Sequence, residues 1–122
     1  MPVAYIDTTG IDIPKSGDHI GTPALDDSPG VLLKAGEAYL LSCSYHNTTA
    51  ADAYIQIFNA VQLSDVTLGT TTADYVIPCD ANETDSVPIS IPIKFSLGIC
   101  VFSTTAHNNS TGAVVDAWWG VG

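Results

Sequence analysis

Asp80-Ala81-Asn82-Glu83-Thr84-Asp85 sets oxygen-bearing side chains at the first, third and fifth positions of a loop, the way a calcium loop begins. Such a loop also needs a glycine at its sixth position for the sharp turn and an acid at its twelfth for bidentate ligation. Those positions hold Asp85 and Ile91, so the stretch reads as a polar hairpin turn. Asp26-Asp27 is an acidic pair of the kind that water ordinarily solvates. Cys43 and His46 would face opposite ways on a strand, and no second pair at zinc spacing accompanies them. His19, His46 and His107 are the available bases, but no serine sits in a nucleophile elbow, and His19 and His107 fall in stretches that read as loops. The 13 acids are scattered, which suits solubility better than a carboxylate pair for glycoside cleavage. Asn47, Asn82, Asn108 and Asn109 open glycosylation sequons that read as asparagine-rich turns. The sequence therefore predicts no catalytic residue, no metal and no cofactor, and a protein that is not an enzyme. Trp118-Trp119 is the aromatic feature that stands out. Neighbours on a strand point to opposite faces, so one ring would enter the core while the other stacks on a sugar or fills a partner's pocket. In the alternative arrangement both rings cover the open ends of a sandwich.

The elements that must carry these residues are strands. A chain of 122 residues with 46% apolar content suits one packed domain. Three lysines, no arginine and a formal charge of −10 argue against phosphate recognition, hence against nucleic acid and against anionic membrane surfaces. No run of 18 apolar residues is present, and the Met-Pro-Val-Ala-Tyr-Ile-Asp start lacks the regions of a signal peptide, so a cytosolic translation product is expected. In that compartment Cys43, Cys79 and Cys100 are expected as reduced, buried thiols; a Cys43–Cys100 bridge is the alternative pairing.

Alternation is clearest in Val87-Pro88-Ile89-Ser90-Ile91-Pro92-Ile93-Lys94-Phe95, where every odd position is apolar. Pro88 and Pro92 lack donors on the same lateral edge, which predicts a half-buried edge strand blunted against further pairing. Residues 37–46 set Tyr39, Leu41, Cys43 and Tyr45 against Ala38, Leu40, Ser42, Ser44 and His46. Residues 53–60 set Tyr54, Gln56 and Phe58 against Ile55 and Ile57, and their β-branched and aromatic run favours strand over helix. Further strands are predicted at 74–79, 97–105 and 113–119, with a turn at 80–85 and a loop at 106–112. Residues 97–102 are apolar on both faces, as a strand covered on both sides would be. The fold class expected is all-β, an antiparallel β-sandwich of jelly-roll or immunoglobulin-like strand order over residues 36–122. Residues 1–35 hold four of the seven prolines and four of the ten glycines, and are expected as an extended arm or an irregular loop outside the sheets.

Several pieces of residues 52–105 resemble a family of small β-sandwich virion proteins of tailed bacteriophages. They are Ala53-Tyr54-Ile55-Gln56-Ile57-Phe58-Asn59-Ala60, Val66-Thr67-Leu68-Gly69-Thr70-Thr71, Asp74-Tyr75-Val76-Ile77-Pro78, Phe95-Ser96-Leu97-Gly98-Ile99 and Thr104-Thr105. Ala73 stands where that pattern would have a proline. The resemblance implies a virion component on the capsid surface, made in the bacterial cytoplasm. Its role would be that of a decoration (cement) protein binding between major capsid protein subunits, commonly as a homo-oligomeric trimer. It brings no active site. Tyr5, Ile6, Ile11 and Ile13 of the arm, with Trp118 and Trp119, are the expected partner-binding residues. A carbohydrate- or receptor-binding module of a head fibre or tail accessory is the alternative, motivated by the tryptophans and by Tyr39, Tyr45, Tyr54 and Tyr75.

Overall fold

A computed structural model describes residues 17–122. Its nine strands are β1 (Asp18–Leu25), β2 (Val31–Ala35), β3 (Ala38–His46), β4 (Ala53–Asn59), β5 (Tyr75–Cys79), β6 (Thr84–Val87), β7 (Ile93–Phe95), β8 (Gly98–Thr104) and β9 (Val115–Val121). The first sheet runs β1-β9-β3-β6, with β7 also on β3, and the second runs β2-β8-β4-β5. Every pairing is antiparallel and the pairs are nested: β1 with β9, β2 with β8, β3 with β6 and β7, β4 with β5. One long hairpin folded over and wound into two sheets gives this order, which is that of a jelly roll and not of an immunoglobulin domain.

Alternation decides what lies between the sheets. Leu40, Cys43 and Tyr45 of β3 meet Val115, Ala117, Trp119 and Val121 of β9 on the inner side of the first sheet, and Ile55, Ile57, Ile77, Ile99 and Val101 come from the second. Removing this apolar surface from water is the principal driving force of the fold. A smaller cluster of Phe58, Ala60, Cys100 and Phe102 lies on the other face of the second sheet, covered by Leu63, Val66, Leu68 and Ala73 of the β4–β5 connection. All seven residues of β8 are therefore buried, as their two-faced apolar run predicts. Phe58 and Phe102 meet edge to face with centroids 5.7 Å apart.

Gln56 and Thr104 are buried polar residues on that covered face, and Gln56 bonds outward from it. Its Nε2 donates to Thr104 Oγ1 at 2.7 Å and to the Asn109 carbonyl at 3.1 Å, tying the 106–110 loop to the sheet. Gly98 opens β8 at φ +149°, and a Cβ there would come within 2.5 Å of the Ala60 carbonyl oxygen and 2.8 Å of that of Lys34. Only glycine fits between those two backbones.

Four expectations need correcting. The 1–35 arm does not extend to residue 35, because β1 and β2 are hydrogen-bonded members of the two sheets. Their prolines and glycines fall where a strand tolerates them: Pro23 beside the β1 register shift, Pro29 and Gly30 in the connection. The portion 1–16 lies outside the described residues. His19 belongs to β1 and not to a loop. In β3 a register shift between Leu40 and Ser42 inserts one residue opposite β9, so the buried set is Ala38, Leu40, Cys43 and Tyr45, and the simple alternation of 37–46 breaks in its middle. Finally, residues 87–95 form an edge, but an interrupted one. β6 and β7 pair with opposite ends of β3, 88–92 pair with nothing in either sheet, and Ile91 is 75% exposed.

Candidate functional site

The outer face of the first sheet is built from the residues that alternation turns away from the core. One cross-strand row runs Gly21–Trp118–Ser44–Ser86, from β1 through β9 and β3 to β6. The adjacent row runs His19–Gly120–Ser42. Trp118 is half exposed, and its Cδ1 and Nε1 lie 3.5 and 3.6 Å from where a Cβ on Gly21 would stand. A Cβ on Gly120 would come within 2.4 Å of Ser42 Oγ, so the serine hydroxyl occupies the space a side chain would take. Small residues around one large ring leave a groove of about 390 Å³, lined by His19, Gly21, Ser44, Ser86 and Trp118 together with the partly buried Ile20 and Val87. At one end His46 Nδ1 is hydrogen-bonded to Thr84 Oγ1, and Asp116 Oδ1 accepts the Ala24 amide at 2.8 Å.

Trp119 points the other way. It is 1% exposed, and its indole N–H donates to Thr22 Oγ1 at 3.0 Å, while the Thr22 hydroxyl donates to the Ala117 carbonyl at 3.2 Å. The structure thus separates the tryptophan pair into one core residue and one surface residue, and Trp119 is removed from the expected partner-binding set because a partner cannot reach it. Tyr5, Ile6, Ile11 and Ile13 lie outside the described residues. Of the tyrosines, Tyr45 is buried, Tyr75 packs against the core, and Tyr54 meets His107 edge-on at 6.4 Å on the second sheet.

Among the described residues no three His, Cys, Asp or Glu side chains converge. Around the calcium-like loop, Asp52 Oδ1 accepts the Ala81 amide at 3.0 Å and the Asp80 carbonyl accepts the Glu83 amide, while Asn82 takes φ +58°. Cys43, Cys79 and Cys100 are free and buried. Cys43 belongs to the core between the sheets and Cys100 to the cluster beyond the second sheet, so the sheet itself keeps the two apart. Burial pushes the Cys43 and Cys79 thiols up to about 12, with the nearby Cys79 adding to the effect on Cys43 and a backbone bond from Ile55 partly opposing it at Cys79. Such thiols stay protonated and unreactive at neutral pH.

The alternation of Trp118 and Trp119 was legible in the sequence. The groove beside Trp118 was not, because Gly21, Ser44 and Ser86 become its neighbours only through the strand register. Comparison with protein-family models, with curated proteins and with solved structures finds no match for the chain.

Proposed function

We propose that the protein is a non-enzymatic structural component of a bacteriophage virion, a capsid decoration protein that seats between major capsid protein subunits as a homo-oligomer, with a trimer the favoured state. The observation that supports this most directly is the packing. Trp119, Phe95 and the isoleucines of β4, β5 and β8 fill the space between the sheets, and the β4–β5 connection covers the outer face of the second sheet. A module packed in this way resists deformation and proteolysis, which is what reinforcing a shell requires. The charge of −10 suits an outer surface held away from packaged DNA. The pieces that resemble the phage family run from β4 to β8 and coincide with structural positions, among them the Gly98 squeeze and the buried Phe58.

Co-sedimentation with shells assembled from major capsid protein tests the reading. Intact protein is expected to pellet with the shells at saturable stoichiometry. A chain lacking residues 1–16 is expected to stay folded, since those residues precede β1, and to lose shell binding. Intact protein left in the supernatant at every concentration would refute the proposal.

A further inference from the structure

We propose that the outer face of the first sheet binds neutral glycans, with the Trp118 indole as the platform on which a pyranose ring stacks. This function is separate from shell binding and stands or falls independently of it. A pyranose has one face of C–H groups and a rim of hydroxyls, so its receptor needs an accessible aromatic face with small donor–acceptor groups around it. Trp118 supplies the aromatic surface at 50% exposure on a central strand, fixed between β1 and β3. Gly21 beside the ring keeps the floor low, and Ser44 and Ser86 continue the Trp118 row with hydroxyls that both donate and accept. The groove volume of about 390 Å³ has the size of small-molecule sites.

Two features select the ligand class. Among the described residues the lining contains no Lys, Asp or Glu, and the chain carries −10 overall, so nothing there compensates the charge of an acidic sugar. Leu32, Val61, Ile91, Leu97 and Val114 are the other exposed large apolar residues among the described residues, and none of them lines the groove. A protein hot spot is ringed by apolar contacts that exclude water; here Ile20 and Val87 also line the groove but are partly buried against the core, and the neighbours of the ring in its own cross-strand row are Gly21, Ser44 and Ser86. An isolated aromatic among hydroxyls fits a sugar better than a protein side chain.

Tryptophan fluorescence reads the site directly, because Trp119 is buried and Trp118 is the quenchable ring. Full-length protein is titrated with neutral gluco-, galacto-, manno- and N-acetylglucosamine oligosaccharides, with a uronic acid oligomer for comparison, while acrylamide quenching is followed. At least one neutral series is expected to protect the ring. Calorimetry on Trp118→Ala should then show binding weakened about tenfold or more, with Trp118→Phe retaining part of it. Gly21→Val fills the space beside the ring and should weaken binding with the circular dichroism spectrum unchanged. Protection by no neutral series, equal binding of the acidic oligomer, or undiminished binding by Trp118→Ala would overturn the proposal. Loss of shell binding in Trp118→Ala without any glycan effect would assign the face to a protein partner and overturn it equally.

Discussion

Asn47 is fully buried and uses both ends of its amide: Nδ2 donates to the Ala51 and Cys79 carbonyls at 3.0 Å each, and Oδ1 accepts from the Thr49 amide and hydroxyl at 3.0 and 2.7 Å. The side chain therefore holds the β3–β4 turn and anchors it to the end of β5. Truncation in Asn47→Ala leaves buried carbonyls without a donor, and a loss of about 2–4 kcal/mol is expected in urea unfolding. The turn chemistry was legible in Asn47-Thr48-Thr49; the reach to Cys79 was not, since it spans 32 positions along the chain. The adjacent tryptophans give a matched comparison. Trp119→Ala opens a cavity and orphans the Thr22 pairing, so it should cost about 3–5 kcal/mol. Trp118→Ala removes a half-exposed ring from a solvent-facing position, and its unfolding free energy should stay within about 0.5 kcal/mol of the parent.

The strands themselves were largely legible, because period-two patterning is strong in β4, β5 and β8. β1 and β2 were hidden by the prolines and glycines around them, and along β3 and its edge an inserted or expelled residue breaks the pattern. In β3 the extra residue near Leu41 moves the inward set from one parity to the other, a switch that apolar residues on both parities conceal. Opposite this irregularity, β6 ends at Val87 on Cys43 and β7 begins at Ile93 on Leu40, so five residues on the edge face two on β3 and the surplus is looped out. Pro88 and Pro92 bracket the looped segment, where missing donors are no loss. Ile91 and Phe95 share a parity in the sequence but not an environment. Ile91→Ser, at an exposed position, should leave stability within about 0.5 kcal/mol, whereas Phe95→Ala should cost about 3–5 kcal/mol by chemical denaturation.

For the molecule as a whole, the buried thiols set an alkaline limit. Cys43 and Cys79 rise from 9.0 to about 12 on folding, so the native state holds protons that the unfolded chain gives up. Their contribution is complete below pH 9 and declines as pH climbs from about 9 towards 12. Thermal unfolding should show the midpoint falling across that window, with a shallower fall in Cys43→Ala/Cys79→Ala. An all-β sandwich was predictable from local patterning, but its nested strand order was not, because no local signal tells β1 that its partner lies about a hundred positions away. That distance has a consequence during synthesis. β9 lies between β1 and β3, so a nascent chain halted before Val115 holds four of the five strands of the first sheet but has nothing to join β1 to the β3-β6-β7 group. β9 is thus the keystone of the first sheet: a chain truncated before Val115 is expected to stay open and to be cut in a limited-proteolysis assay that the full chain survives.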